Sequence, residues 1–400
     1  MKRPGLCYTL MADSEGLPGG VHQLRLTKNR RQNSRLFSWN QKITGLAIII
    51  FTLAVLIAVI FYGFFQVDPS IDRAEVGKTE PSEPLVIVWE YAAIEAEPST
   101  ISQMPSLQVV SPTWFHIIDE TGTIDSQFDK DYLIWARERG YDVWALVTNS
   151  FDPDITAAIL SNEEIRHSIV DDLINLALKY ELEGLNIDFE NFHSDYRDLF
   201  TKFVSELAER CREEHIIVSV DVTMISNSTY WSAGYDRAAL AEAADYIILM
   251  AYDEHWVSSP VAGSVASLPW VERGLERVLN EVPPEKLILG VPFYTRLWQI
   301  DKSGDEPLVL NSWAYSMHRA EEIIEENEAN LHWDGDALQY VATYTKNGLD
   351  YVMWLEDTTS MSYRLELVSR YELAGMAAWR RGLEKEEIWL LIDDWLTTTR

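Results

Sequence analysis

From residue 85 onward this chain alternates short apolar runs with helical patterns, and that alternation limits its possible folds more than any other feature. The apolar runs are Leu85–Trp89, Val109–Phe115, Val143–Thr148, Gly184–Glu190, Ile216–Thr223, Tyr246–Tyr252, Leu287–Pro292 and Ala374–Trp379. They are rich in Val, Ile and aromatics and mostly lack strict alternation, as strands buried on both faces do. Helical patterns separate most of them. One places Ile165, Ile169, Leu173, Leu176 and Tyr180 on a single stripe. A second carries Tyr196, Leu199, Phe200, Phe203, Leu207 and Cys211, a third starts at Asp236 as N-cap, and a fourth covers Pro269–Leu279. Eight strands joined by helical crossovers predict an α/β protein with a (β/α)8 TIM barrel over residues 85–400. The first crossover, Glu95–Gln108, shows only a weak helical pattern. Residues 296–350 break the rhythm between the seventh and eighth runs and predict a small insertion near the barrel mouth, with a helix around Tyr315–Glu326.

The fourth run carries a polar column. Side chains alternate faces along a strand, so Asn186, Asp188 and Glu190 share one face and Leu185, Ile187 and Phe189 the other. Burying three polar groups on a half-apolar strand is costly without partners. Two neighbouring carboxyls cannot both ionise cheaply, so one is expected to stay protonated near neutral pH. A protonated carboxyl beside a carboxylate is what a general acid needs to attack an acetal oxygen. A solvated strand end would also gather acids. Against it, Glu190, Tyr252, Thr148, Asn149, Pro292 and Trp379 all fall at C-terminal strand ends, the face on which barrel sites form.

Charge is unevenly spread over the chain. The net charge is −30. Residues 1–66 hold eight Lys/Arg against Asp13 and Glu15, a net +6, which leaves −36 on the remainder. So acidic a domain repels nucleic acid, and that class of partner is excluded. Residues 43–65 are apolar, without charge or proline, and long enough to span about 30 Å of hydrocarbon as a helix. The run is too long for a cleaved signal peptide, and Phe61–Gln66 offers no small-residue cleavage site. Basic residues precede the span and Asp68 follows it, which predicts a single-pass signal anchor with a cytoplasmic N-terminus and an extracellular catalytic domain. Residues 1–42 read as a basic cytoplasmic tail and 66–84 as a Pro- and Glu-rich linker. The two cysteines, Cys7 and Cys211, would then lie on opposite sides of the membrane, so no disulfide is expected, and Cys211 reads as a buried thiol.

Three segments together resemble glycoside hydrolase family 18. Glu183–Glu190 is similar to its DGxDxDxE signature, Met250-Ala251-Tyr252-Asp253 to its M-x-Y-D signature, and Ala374–Trp379 to its final strand with terminal Trp. Asn186–Asn191, Met250–Trp256, Ala262–Ser267 and Trp354–Asp357 resemble the bacterial YaaH-type branch, which includes spore-cortex-lytic N-acetylglucosaminidases. LysM wall-binding repeats, frequent in that branch, are not seen; the membrane anchor stands in their place. Two positions depart from the broad signature, Glu183 in place of its first Asp and Asn186 in place of its second. The latter removes a negative charge beneath Asp188 and must alter how protons are shared along the column.

The resemblance implies a retaining, substrate-assisted β-N-acetylglucosaminidase. Glu190 would protonate the glycosidic oxygen and later activate water. Asp188 would orient the substrate's 2-acetamido group, whose oxygen attacks the anomeric carbon, and Asn186 would position Asp188 by a hydrogen bond. Tyr252 would donate its hydroxyl to the acetamido oxygen, and Trp379 would floor the sugar subsite. No metal or other cofactor is implied, and the histidines show no ligand spacing. The substrate would be a GlcNAc-containing polysaccharide, in the first place peptidoglycan, with chitin or poly-GlcNAc oligosaccharides, or glycan binding without hydrolysis, as alternatives. Softer candidates are Trp114 and Asn149, as cleft-lining residues or in a core or turn role, and Asp253 as a sugar contact or loop brace. Tyr294 and Trp298 could border the cleft but are expected to pack, and Glu356 and Asp357 could reach the mouth but are expected at a solvated edge.

Overall fold

The computed structural model describes residues 83–91, 104–304 and 307–399. The basic tail, the predicted span at 43–65, most of the linker and most of the first crossover lie outside the described residues. Among those described, no helix is long and apolar enough to cross a membrane.

Eight parallel strands close into a barrel. They are β1 (Leu85–Glu90), β2 (Val109–Ile117), β4 (Asp142–Thr148), β5 (Gly184–Asp188), β6 (Ile217–Thr223), β7 (Tyr246–Met250), β8 (Leu287–Pro292) and β14 (Gly375–Trp379). Their spatial order is β1-β14-β8-β7-β6-β5-β4-β2, and pairing of β1 with both β14 and β2 closes the ring. A short strand, β3 (Ile124–Ser126), pairs antiparallel with the end of β2. Each predicted run thus becomes a barrel strand. Two of them stop early, because β5 ends at Asp188 and β7 at Met250. Glu190 and Tyr252 therefore sit on the loops beyond the strands.

Strand alternation sorts the apolar residues into two layers. Val86, Val88, Leu185, Ile187, Val218, Val220 and Val222 face outward into a large core shared with the helices. Ile87, Trp89, Val109, Trp144, Leu146, Ile248, Met250 and Ile288 fill the barrel interior. Gly184 explains how the base of that interior closes. A Cβ built there would fall 2.6 Å from the Trp144 ring, so only glycine leaves room for the indole.

After the helices α1 (Lys130–Glu138) and α2 (Pro153–Ser161), the predicted helices are present: α3 (Glu163–Tyr180), α4 (Arg197–Glu213), α5 (Arg237–Ala243) and α6 (Leu268–Val278). Asp236 caps α5 by accepting from the Ala239 amide, as its position before the apolar stripe predicts. Cys211 is a buried free thiol whose surroundings push it up to about 12.

The insertion is more regular than the sequence suggests. Strands β9 (Tyr294–Asp301), β10 (Leu308–Ser316), β11 (Asn330–Asp334), β12 (Gln339–Lys346) and β13 (Leu349–Trp354) form an antiparallel sheet in the order β10-β9-β13-β12-β11, with the helix Met317–Glu326 against it. Leu297, Ala320, Ile323, Ala342 and Met353 give it its own small core. Its first strand, β9 (Tyr294–Asp301), leaves the C-terminal end of β8 after one residue, which places the sheet beside the barrel mouth.

Candidate active site

β5 directs Asn186 and Asp188 into the barrel, and both are buried. The chain leaves the strand after Asp188 and carries half-buried Glu190 on the following loop. Three partners from elsewhere hold that loop. The Tyr235 hydroxyl donates to the Phe189 carbonyl at 2.8 Å. The Glu190 amide donates to Asn149 Oδ1 at 3.1 Å, and Asn149 Nδ2 donates to the Glu190 carbonyl at 2.6 Å. Asn191 adopts φ 54° and donates through Nδ2 to the Phe151 carbonyl at 2.9 Å. Left-handed backbone also occurs at Ser150 and Phe151 after β4 and at Asp253 after β7. Non-glycine residues pay for that conformation, Asn and Asp least.

Asn149 therefore differs from its expected role. It is fully buried, and its amide grips both backbone polar groups of Glu190 instead of lining the cleft. Thr156 Oγ1 accepts its other hydrogen at 2.8 Å and anchors it from the start of the next helix.

Asn186 is also corrected. It does not bind Asp188. Its Nδ2 donates to Ser219 Oγ at 3.0 Å and to Asp221 Oδ1 at 2.7 Å, while its Oδ1 accepts from Trp89 Nε1 at 2.8 Å and Ser111 Oγ at 3.1 Å. The reason is geometric: residues two apart on a strand are about 6.6 Å apart, whereas cross-strand neighbours lie within about 5.5 Å. Asn186 pairs in register with Ser219 of β6, so its amide reaches that strand.

Trp114 does not line the cleft. β2 bulges between Thr113 and Phe115, so Trp114 is the extra residue. It is buried in the outer layer against Phe128 and Tyr132. Trp379 does lie on the interior side, half-buried, tilted against Trp89 at 6.1 Å. Tyr252 meets Trp89 edge-on at 6.3 Å and Tyr294 at 6.4 Å. Asp253 is exposed and accepts from the Tyr294 hydroxyl at 2.6 Å, with Arg296 Nη2 at 3.4 Å. It faces Glu190 closely enough to disfavour that group's charge. Trp298 is buried and donates to the Gly263 carbonyl at 2.9 Å, so it packs as expected.

The electrostatics follow from burial without a cation. Desolvation pushes Asp188 up to about 7. Glu190 is raised well above the ordinary carboxylate range, first by burial and then by the charges of Asp188, Asp221 and Asp253. Asp221 is raised likewise by burial and by Asp188, with the hydrogen bonds from Asn186 and Trp89 pulling the other way. Asp188 Oδ1 is buried and has no hydrogen-bond partner. Tyr252 is held far above its usual value, first by burial and then by Asp221, Glu190 and Asp188, so its hydroxyl stays a donor. Among the described residues no three His, Cys, Asp or Glu side chains are grouped to hold a metal ion.

Sequence reasoning missed several residues. Asp221 is the single charged residue of a mostly Val/Ile strand and shares the inward parity of Ser219, a readable signal. Trp89 and Ser111 share the inward parity of β1 and β2, but their meeting with Asn186 depends on barrel closure. Glu90, also buried, forms a two-pronged ion pair with Arg381, whose Nε lies 2.8 Å from Glu90 Oε2. The Arg381 amide donates to the Trp89 carbonyl at 3.0 Å, which ties the first strand to the segment after the last. Glu356 was expected at a solvated edge and is instead fully buried, with Arg364 Nη2 at 2.8 Å. Asp357 forms a capping box with Ser360 at the start of the helix Thr358–Arg370.

Comparison with known proteins gives a consistent assignment. The family model described as glycosyl hydrolases family 18 matches residues 38–384. An uncharacterized glycosylase of Bacillus subtilis, YvbX, is 26% identical over 284 residues, covering 68% of this chain and 80% of that protein. The cortical fragment-lytic enzyme of Bacillus subtilis is 24% identical over 254 residues, covering 62% of this chain and 58% of that protein. The crystal structure of the C-terminal domain of a putative chitinase from Desulfitobacterium hafniense superposes with a TM-score of 0.71 at 24% identity, covering 79% of this chain and 99% of that one.

Proposed function

This chain belongs to glycosyl hydrolase family 18, and we propose that it is a membrane-anchored hydrolase of β-linked GlcNAc-containing glycan, with peptidoglycan as its principal substrate. The single observation that carries the reading is a carboxyl whose surroundings disfavour its charge, poised beside an acceptor that lacks a partner. Glu190 is held by its backbone at the barrel mouth, its charge disfavoured by burial and by the acids around it, near an Asp188 oxygen with no protein donor. A neutral carboxyl can give a proton to a glycosidic oxygen. The free Asp188 oxygen suits the N–H of a 2-acetamido group, which would turn that group's oxygen toward the anomeric carbon. Loss of the leaving group then produces an oxazolinium ion, stabilised by anionic Asp188 in a water-poor site. Glu190, now ionised, takes a proton from a water whose oxygen bonds to the anomeric carbon as that carbon's bond to the acetamido oxygen breaks, a second inversion that retains configuration. Tyr252 would donate to the acetamido oxygen and Trp379 would support the sugar face.

A sugar without the 2-acetamido group supplies no internal nucleophile, so cellulose and starch are not substrates. Anchoring through residues 43–65, with the barrel outside the cell, would keep the enzyme beside wall glycan; the relative named for lysis of cortical fragments supports a wall substrate.

The test is product analysis by mass spectrometry on the full chain and on Glu190→Gln, with purified peptidoglycan and with chitin oligomers. New reducing-end GlcNAc from the wall glycan, made by the parent only, is the expected result. Cleavage of chitin oligomers alone would move the substrate to chitin. Tight binding without cleavage by either protein would replace the hydrolase with a glycan-binding protein.

A further inference from the structure

Asn186 stands where the family signature carries an acid, and the neighbouring strand brings a carboxyl to it. Asp221 lies two residues beyond Ser219, the register partner of Asn186, and is only 1% exposed. The rest of β6 is Ile217, Val218, Ser219, Val220, Val222 and Thr223, so strand packing alone gives no reason for an acid there. A buried carboxyl with no cation is costly. The titratable groups that face Asp221 are Asp188 and Glu190 from β5 and its loop, Tyr252 from beyond β7, and Tyr235. None is basic. The polar contact that holds Asp221 is Asn186 Nδ2 at 2.7 Å, with Trp89 Nε1 nearby on the other side of the same amide.

We propose that Asp221 is a positioning residue of this site, supplying from β6 the carboxyl that is missing at Asn186 and locking the Asn186 amide so that Asp188, Glu190 and Asp221 share their protons as one set. The inference rests on Glu190 being the acid. Three like groups in one cage cannot all ionise, because each charge disfavours the next. Asp221 therefore holds the Glu190 proton in place at higher pH than Asp188 alone would. Asn186 transmits the position of Asp221 to Trp89 and Ser111, since its amide has both hydrogens and its oxygen engaged.

The experiment is the pH dependence of kcat/KM for the full chain on a chitin tetrasaccharide, in three forms: the parent, Asp221→Asn, and Asn186→Asp combined with Asp221→Asn. The single variant removes a like charge from around Glu190. Its basic limb is expected to move to lower pH by about one unit or more, with KM little changed. The double variant returns the charge to β5 and is expected to bring the limb back toward the parent. A purely structural Asp221 would leave the limb in place and make the double variant worse than the single. A folded single variant with an unmoved limb overturns the proposal.

A 13C-carboxyl titration of the parent and the double variant needs neither turnover nor a folded single variant. Coupled steps for Asp188, Glu190 and Asp221 in the parent are expected, and an independently titrating Asp221 overturns the proposal. Coupled steps in a chain that cleaves no glycan would sink the hydrolase reading while leaving the charge assignment intact.

Discussion

Two buried carboxyls, Glu356 and Asp188, are both pushed up to about 7, and by the same dominant cause, loss of water. Their neighbourhoods are opposite. Glu356 accepts from Arg364 Nη2, Gln339 Nε2 and Ser360 Oγ, each at 2.8 Å, and Arg364 Nη2 also reaches the Ala266 carbonyl at 2.6 Å. Asp188 has an oxygen with no partner and, as neighbours, two more carboxyls. The first arrangement fastens the helix Thr358–Arg370 to the segment before α6 and is complete without a ligand. The second is unfinished, and its unfavourable charge is relieved by a proton or by a ligand that brings an N–H or a positive charge. A raised pKa therefore does not separate a self-contained structural acid from one left open to a ligand; the groups around it do.

That contrast can be broken at either site. The largest expected effect is on chemistry. Glu190→Gln keeps the shape of the loop and removes the transferable proton, so kcat should fall by about 10³-fold or more while thermal unfolding stays close to the parent. Equal activity in the two proteins would remove Glu190 from the mechanism.

At the structural site, Arg364→Met should cost about 3–5 kcal/mol, because it strands Glu356 in the interior without its cation. Urea unfolding measures this, and a loss below about 1 kcal/mol would mean that Gln339 and Ser360 suffice.

The unfinished site carries a pH signature. A carboxyl whose folded value lies near 7, against about 4 when unfolded, contributes stability that is fully present below pH 4 and is lost as pH rises through 7. Asp188→Asn removes that dependence. It should leave stability almost unchanged near pH 4 and raise it by about 1–3 kcal/mol at pH 8, while activity is lost. Melting curves at the two pH values decide this, and a variant equally destabilised at both would show that Asp188 is structural.

The smallest effect concerns the brace. Asn149→Ala frees both backbone groups of Glu190 and should lower kcat by about 10-fold, equivalent to about 1.4 kcal/mol, with KM nearly unchanged. A change in KM alone would return Asn149 to the cleft lining.

By itself the sequence determined what depends on local period and composition. Eight apolar runs gave barrel strands, the alternation of Gly184–Glu190 separated Asn186 and Asp188 from Leu185 and Ile187, and Asp236 sits at a helix start where a short acid caps. These features follow from the geometry of one segment of chain, so they can be read without knowing its neighbours. Tertiary structure decided everything that requires two segments to meet. A bulge in β2 turned Trp114 outward, cross-strand register sent Asn186 to Asp221 instead of Asp188, and the loop after β4 put Asn149 on the backbone of Glu190. Burial converted Glu356 from an expected surface acid into one half of an internal ion pair. Acidity belongs to this second group, because it is set by the water excluded and the charges brought near, and both arise only when distant strands close into a barrel.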